Sequence, residues 1–210
     1  MFIQKFSAVV LCILLSFSAS FATNIPDPCM SAAYMPGVTN QTVSLFSVPN
    51  GQGLPLNQAQ IHNDGTIIDA TIFMEIYDLN GSPIPHYPHE DIWLGSVDGG
   101  MVPCMGGTTA DFDTDMNGQT TWTYPLRAGG YSMSGCVVFI SGMPLCQAPF
   151  NMYFNSADIN GDGVVNLADL NLIAASYYYD FDYSVDFYPD GVLNLTDIGR
   201  FAGAIGASCH

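Results

Sequence analysis

Residues 158–169 read Asp158-Ile-Asn160-Gly-Asp162-Gly163-Val164-Val-Asn166-Leu-Ala-Asp169. Oxygen-bearing side chains stand at positions 1, 3, 5, 9 and 12 of this stretch. Position 6 is Gly163, where the backbone must turn sharply, and position 7 would contribute the backbone carbonyl of Val164. This is the spacing with which a calcium-binding loop surrounds its ion, so the sequence predicts a metal site here.

A second copy begins 28 residues later. It reads Asp186-Phe-Tyr188-Pro-Asp190-Gly191-Val192-Leu-Asn194-Leu-Thr-Asp197, and Val192 takes the carbonyl position. Position 3 departs from the pattern, because Tyr188 has no carboxylate or amide oxygen. We therefore expect two Ca²⁺ sites of the EF-hand kind, the second weaker than the first. The alternative, two Asn/Asp/Gly-rich turns without metal, is disfavoured by the duplication.

Apolar residues follow each loop at three- and four-residue spacings, which predicts a short amphipathic helix after each one. They are Leu170, Leu172, Ile173 and Ala174 after the first loop, and Ile198, Phe201, Ala202 and Ile205 after the second. Each unit is therefore a loop with an exiting helix. With these features, residues 155–208 resemble a type I dockerin, a small secreted module of two such segments.

The resemblance implies two sets of functional residues. The calcium ligands would be Asp158, Asn160, Asp162, Val164, Asn166 and Asp169 in the first loop, and Asp186, Asp190, Val192, Asn194 and Asp197 in the second. Dockerins bind a cohesin receptor domain through the helix face just after the loop start, here Leu167, Ala168, Leu195, Thr196 and Arg200. The family's Ser/Thr pair and basic cluster are missing, so a divergent receptor or an intramolecular role also fits.

The first 22 residues have the pattern of a secretory signal peptide. Lys5 precedes an uncharged apolar run, and Ser20-Phe21-Ala22 offers a small-x-small cleavage signal. A transmembrane anchor is disfavoured because the run is short and has no basic flank after it. We expect a secreted bacterial protein, extracellular or attached to the cell surface, that does not insert into a membrane after signal cleavage.

The composition is strongly acidic, with 3 basic and 19 acidic residues and a formal net charge of −16. Cleavage of the signal removes Lys5 and leaves 2 basic residues, Arg127 and Arg200, against the same 19 acids. Such a chain has no basic patch to bind nucleic acid or an anionic membrane surface. Eight of the acids lie from residue 158 onward, so we expect folding of the tail to depend on calcium.

Five cysteines follow the predicted signal peptide. They are Cys29, Cys104, Cys136, Cys146 and Cys209. An odd number leaves one thiol unpaired or pairs it between chains. The expected structural disulfide joins Cys104 to Cys136 or Cys146 in the central domain, although sequence alone does not fix the pairing.

Residues 41–154 have an all-β pattern. Strand-forming runs at 66–77, 120–124 and 131–140 alternate with turn signals at 63–65, 78–81, 98–100, 117–118 and 129–130. The stretches YDLNGSPIP (77–85) and TDMNGQTT (114–121) resemble the paired signatures of bacterial Ig-like domains of the invasin/intimin kind. Similar signatures occur in transthyretin-like and carboxypeptidase-regulatory-like sandwiches.

The expected fold is mainly β with a small α-containing C-terminal module. An N-terminal segment (23–40) leads into an Ig-like β-sandwich (41–154), which is followed with almost no linker by a dockerin-like pair of calcium loop-helix units (155–210). We expect the two modules to lie close together.

Other polar clusters are weaker candidates for a site. Asp111, Asp113 and Asp115 alternate and would suit a third calcium site, but a polar strand edge is the favoured interpretation. Residues 86–91 (HYPHED) offer zinc ligands, yet the prolines there prevent the helical geometry of a zinc site and favour a solvated loop. No catalytic pattern is present, so we expect no enzyme activity.

These observations favour a secreted, non-catalytic protein that docks to a cohesin-type receptor in an extracellular assembly, either polysaccharide-degrading or on a cell surface. One alternative is a carbohydrate-binding or glycan-active sandwich that uses Trp93, Trp122 or residues 86–91, with the tail as a structural calcium module. In the other, the tail merely packs on its own sandwich in a structural surface protein.

Overall fold

The computed structural model describes residues 25–178 and 181–209; the predicted signal peptide (1–22) and residues 23–24, 179–180 and 210 lie outside the described residues. The fold of this part is mainly β, with twelve strands in three sheets and two short α-helices. The strands are β1 (Ala32–Tyr34), β2 (Val43–Ser47), β3 (Ala59–Ile61), β4 (Ile67–Ile68), β5 (Ile72–Glu75), β6 (Ile92–Ser96), β7 (Met101–Pro103), β8 (Gln119–Trp122), β9 (Ala128–Ser132), β10 (Cys136–Ile140), β11 (Met143–Pro144) and β12 (Met152–Ser156). The helices are α1 (Leu167–Tyr178) and α2 (Leu195–Ala204), and short 3₁₀ turns span Leu56–Gln58, His89–Asp91 and Tyr183–Val185.

The strands form two three-stranded sheets, ordered β1-β5-β8 and β11-β10-β6, and one six-stranded sheet, ordered β4-β3-β2-β12-β9-β7. All three sheets contribute apolar side chains to one core, for example Trp122, Leu94 and Phe154. In the centre of the large sheet β2 pairs in parallel with β12, with Val43 opposite Met152. The last strand therefore lies beside one of the first, and it ends two residues before Asp158. No linker separates this β region, residues 25–156, from the C-terminal region, residues 157–209.

Three local predictions need correction. The predicted strand over 66–77 is two strands, β4 and β5, in different sheets. They separate at Asp69, whose carboxylate accepts a hydrogen bond from the Thr71 N–H (2.9 Å). The predicted start of the β region at residue 41 is late, because β1 already pairs with β5.

The third correction concerns residues 129–130, which the Gly-Gly pair predicts to be a turn. Both lie inside β9, and the predicted strand over 131–140 is divided between β9 and β10. Gly130 has a φ of +73° and lies against the backbone of Gly100, so a side chain there would collide. These glycines permit close approach of two chain segments rather than a reversal of direction.

A second core joins the C-terminal region to the β region. It contains Phe187 and Phe201 together with Phe46 of β2 and its neighbour Val48. The Phe46 and Phe187 rings are 5.4 Å apart between centroids. Because one apolar core includes side chains from both regions, folding of one region stabilises the other.

The disulfides differ from the predicted pairing. Cys29 is bonded to Cys146, and Cys104 is bonded to Cys209. The prediction that Cys104 pairs with Cys136 or Cys146 is wrong, because Cys104 lies beside the C-terminal end of the chain. Cys136 points into the core from β10 as a free thiol, and burial raises the pKa of that thiol. The two disulfides are consistent with an extracellular protein.

Among the described helices, none has the length and apolar character needed to cross a membrane.

Candidate metal centres and the adjoining helix face

The two predicted calcium loops close in the same way at their first position. Asp158 and Asp186 are both 0% exposed. Each accepts a hydrogen bond from the backbone N–H of the glycine at position 6, Gly163 at 2.9 Å and Gly191 at 3.0 Å. Both glycines have positive φ, +86° and +80°, which only glycine adopts without strain. The sequence pattern therefore produces the sharp turn that was expected of it.

Position 12 closes the other end of each loop. Asp169 and Asp197 are again 0% exposed, and each accepts hydrogen bonds from the backbone N–H groups of positions 3 and 9. The distances are 3.2 and 2.9 Å to Asp169 from Asn160 and Asn166, and 2.7 and 2.9 Å to Asp197 from Tyr188 and Asn194. The first and last carboxylates are thus fixed by backbone groups, independently of the exposed side chains.

The asparagine at position 9 also starts the helix that follows. Asn166 accepts a hydrogen bond from the Ala168 N–H and Asn194 from the Thr196 N–H, both at 2.7 Å. These are N-cap interactions, and in α2 Asp197 completes a capping box. Position 5 is likewise fixed, because Asp162 and Asp190 accept from the N–H of position 7 at 3.0 Å. The helices begin at Leu167 and Leu195, position 10 of each loop, whereas the sequence predicted only that a helix follows each loop.

One carboxylate oxygen in the second loop has no partner among the described residues. Oδ1 of Asp186 is buried and makes no hydrogen bond. Burial raises the pKa of Asp186 to about 7, and repulsion from Asp197 and Asp190 adds to the rise. A buried anionic oxygen is costly unless a cation or a donor satisfies it. The residues of the second loop therefore fit a cation that is coordinated by carboxylate oxygens.

Burial also raises the pKa of Asp158 and of Asp197, with repulsion from neighbouring acids as a smaller cause. The donors in both loops are carboxylate, amide and carbonyl oxygens, without histidine or cysteine. A set of this kind suits a hard dication such as Ca²⁺ rather than Zn²⁺. Five or six such groups per loop would hold the ion, and it would replace the charge repulsion with attraction.

The backbone N–H of Tyr188, at position 3, donates to the carboxylate at position 12, but the Tyr188 side chain is directed out of the loop. The ring packs over Gly65 in the turn before β4, where an added Cβ would collide with it. The Arg200 guanidinium also lies 5.0 Å from the centroid of the Tyr188 ring, a cation–π contact. The side chain at position 3 thus joins the loop to the β region and supplies no metal ligand.

The first loop also contacts the β region directly. A Cβ on Gly129 of β9 would collide with the Asp158 carboxylate, and the Gly130 N–H donates to the Asp158 carbonyl (2.6 Å). The Cys209 N–H donates to the carbonyl of Gly163 (2.9 Å), so the disulfide-bonded C-terminal end lies along the loop. The absence of a side chain at Gly129 allows this contact, which was not predicted from the sequence.

Four of the five predicted docking residues are exposed to solvent. Leu167 is 74% exposed and Leu195 84%, and Ala168 and Thr196 beside them are exposed as well. Between the helices runs a shallow cleft lined only by apolar or aromatic residues, Leu170, Ile173, Ala174, Tyr177, Ile198 and Phe201. We call this surface, with Leu167 and Leu195, the helix face.

Arg200, the fifth predicted docking residue, is directed elsewhere. Its guanidinium donates to the side-chain oxygen of Gln60 in β3 (2.8 Å) and to the carbonyl of Phe187. It also lies 5.6 Å from the centroid of the Phe46 ring. Arg200 was predicted as a docking residue, but its side chain lies between the C-terminal region and the β region.

The alternating acids of residues 111–115 do not converge. Asp111 accepts from the Thr123 N–H (2.7 Å), and Asp113 pairs with His89. Asp115 accepts from the backbone of its own turn, at Asn117 (2.7 Å) and at Gln119. Each carboxylate thus has its own partner, as expected for a polar strand edge. A third calcium site is not formed from these three residues.

His89, Glu90 and Asp113 come within 4.8 Å of one another. Nδ1 of His89 is 2.7 Å from Asp113 and 3.5 Å from Glu90. The His89 N–H also donates to Asp113 (3.0 Å), so the group closes two exposed loops onto each other. Sequence reasoning missed it because Asp113 is 24 residues from His89.

The two tryptophans have different surroundings. Trp122 is fully buried and donates from its indole N–H to the Thr108 carbonyl (3.0 Å), so it belongs to the core. Trp93 is half-buried and stacks on Phe139, with ring centroids 5.7 Å apart. Trp122 is therefore unavailable to a sugar, contrary to the alternative raised from the sequence.

No family model matches this chain, and no curated protein matches it. Among solved structures, the chain is similar to the filamin domain of Lin-41, with 14% sequence identity and a TM-score of 0.31. The similarity covers 61% of this chain and 95% of the filamin domain. A TM-score this low is not evidence of a shared fold or function.

Proposed function

We propose that this chain is a secreted, non-catalytic protein that binds two calcium ions and docks through its C-terminal region to a cohesin-type receptor domain. In this proposal the β region is an Ig-like sandwich, and the C-terminal region is a dockerin-like module attached to it. The setting is an extracellular bacterial assembly, polysaccharide-degrading or on a cell surface. The two disulfides are in keeping with that location.

The observation that carries the proposal is the pair of loops with equivalent hydrogen bonds at positions 1, 5, 9 and 12. Loops that served only as turns would have no need to bury two aspartates each. Burial of four carboxylates, one with an unpaired oxygen, is unfavourable without a cation. Calcium binding to the negatively charged loops offsets that cost and couples the ion to the fold.

The helix face supports the docking half of the proposal. Leu167 and Leu195 occupy the same position in the two copies, directly after the N-cap asparagine, and both extend into solvent. An exposed apolar cleft such as the one between the two helices is typical of an interaction site. The β region contacts α2 through the hydrogen bond from Arg200 to Gln60, and Leu167 and Leu195 remain exposed.

The docking experiment compares the chain from residue 23 onward with two variants, in excess calcium and in excess chelator. Immobilised cohesin domains of diverse sequence serve as bait. Leu167→Asp with Leu195→Asp places two charges on the helix face, and Leu79→Asp is the matched control, since Leu79 is 76% exposed in a turn of the β region. We expect calcium-dependent capture of the parent and of the control, and loss of capture in the double variant. Capture of all three alike, or of none, contradicts the docking proposal.

A further inference from the structure

The outer face of the sheet β1-β5-β8 carries a row of exposed aromatic side chains. The strand register sets Tyr34, Phe73 and Thr121 side by side across the three strands. Tyr34 and Phe73 stack with ring centroids 5.7 Å apart and an interplanar angle of 12°. Their chain neighbours Met74 and Thr120 point into the core, as the alternation of a strand requires.

A second aromatic wall lies beyond β8. The segment with Phe112 runs along this edge, because the Asp111 N–H donates to the Thr121 carbonyl (2.8 Å) and the Thr120 hydroxyl donates to the Phe112 carbonyl (2.6 Å). Phe112 is 60% exposed, and its ring meets that of Tyr124 edge to face. Between Phe73 and Phe112 the small Thr121 forms a floor. The walls are therefore two strand spacings apart, or about 10 Å.

The resulting cleft has a volume of about 290 Å³ and a rim of polar side chains. The rim comprises Asp113, Asp115 and Gln119. Gln119 donates from its amide nitrogen to Glu75 (2.8 Å), and its amide oxygen is a further hydrogen-bond acceptor. The cleft thus combines aromatic surfaces with an excess of hydrogen-bond acceptors, a pattern typical of small-ligand sites.

We propose that this cleft binds a neutral polysaccharide. Its ligand must offer flat apolar faces to the rings and hydroxyl donors to the oxygen-rich rim, as a sugar ring does. Anionic ligands are disfavoured, because the charged residues of the rim are both acids and the two arginines of the β and C-terminal regions lie elsewhere. None of the cleft residues belongs to the second core or to the helix face, so a sugar and a receptor can bind at the same time.

The test is affinity electrophoresis of the chain from residue 23 onward in native gels that contain one soluble polymer each. The neutral polymers are a β-glucan, a xylan and a mannan, and polygalacturonate is the anionic comparator. The variants are Phe112→Ala and Tyr34→Ala. Tyr131→Ala is the matched control, because Tyr131 is an exposed aromatic residue of β9 in the six-stranded sheet.

We expect at least one neutral polymer to retard the parent and Tyr131→Ala equally, with affinity reduced about tenfold or more in Phe112→Ala and in Tyr34→Ala. If the thermal midpoint of Phe112→Ala also falls, Phe112→Leu keeps the apolar volume without the ring, and it should bind as weakly. The proposal is overturned if no neutral polymer retards the parent, if polygalacturonate retards it best, or if Phe112→Leu binds like the parent. None of these outcomes depends on calcium or on cohesin binding.

Discussion

The guanidinium of Arg200 in α2 donates a 2.8 Å hydrogen bond to the side-chain oxygen of Gln60 in β3. Gln60 is buried, and the Phe46 and Tyr188 rings flank the same guanidinium. The contact joins the C-terminal region to the six-stranded sheet at a buried position. The loops and helices are therefore part of one structure with the β region, and calcium binding is expected to depend on both.

This shared seam predicts that the isolated fragment 155–210 binds calcium more weakly than the whole chain. The fragment lacks Phe46 and Val48 of the second core, the Gln60 partner of Arg200 and the disulfide partner of Cys209. Part of the binding energy must then order the fragment. We expect its affinity to be lower by about tenfold or more. Titration calorimetry of both proteins, with circular dichroism, measures this. Equal affinities and equal helix content would show that the seam is irrelevant to the metal sites.

Substitution of Asp186 by Asn is expected to have opposite effects with and without calcium. In chelator it removes a buried, unpaired charge next to Asp190 and Asp197, so the thermal midpoint at pH 8 should rise. The gain corresponds to about 1–3 kcal/mol at most, the cost of an unsatisfied buried group. In saturating calcium the midpoint should fall, because a charged ligand is lost. Thermal melts of parent and variant in both buffers test this, and a variant less stable in chelator would refute the explanation.

Tyr188→Asp is predicted to strengthen the second calcium site at the expense of the seam. The change restores a carboxylate at position 3, and affinity rises with the charge of the ligand set. It also removes the ring that packs between Gly65 and Arg200. We expect tighter binding at one of the two sites and a lower thermal midpoint in chelator. Tyr188→Phe is the control and should leave both quantities near the parent's. Calorimetry that finds no change in either site after Tyr188→Asp would exclude the second loop as a metal site.

The raised pKa of Asp186 predicts how pH acts on stability. The value is about 7 in the metal-free fold, against about 3.9 for an unfolded chain. The fold thus favours the protonated acid, so this contribution is complete below the unfolded pKa and is lost as pH rises to about 7. Calcium binds the ionised carboxylate. The stabilisation of the fold by calcium must therefore grow as pH rises from about 3.9 to about 7. We expect the calcium-induced rise in thermal midpoint to be larger at pH 7.5 than at pH 5. A larger rise at pH 5 would contradict this assignment of the charge.

Sequence reasoning located the two loops and the helix that follows each one because these features are local. Each ligand position, the glycine turn and the N-cap asparagine lie within twelve consecutive residues, where spacing alone determines geometry. The Cys104–Cys209 disulfide was missed because it joins residues 105 apart and depends on where the chain end packs. The side-chain directions of Tyr188 and Arg200 were missed for the same reason, since each is set by the neighbouring β region.

The cleft on β1-β5-β8 was also beyond sequence reasoning. Tyr34 and Phe73 become neighbours only through the pairing of β1 with β5, and β1 lies in a segment that showed no clear strand pattern. Phe112 reaches the same face because the N–H of its neighbour Asp111 donates to the Thr121 carbonyl. Strand register and edge contacts of this kind follow from tertiary packing, which short-range propensity does not encode.

The most direct measurement is a calcium titration of the chain from residue 23 onward by isothermal calorimetry after exhaustive chelation, with thermal melts of the same samples. The account predicts two bound ions per chain, one tighter than the other, and a higher thermal midpoint in calcium than in chelator. In Asp169→Asn with Asp197→Asn, the heat of binding should be lost from both sites. Absence of binding in the parent at millimolar calcium, or an unchanged midpoint, would contradict the claim that the two loops are calcium sites.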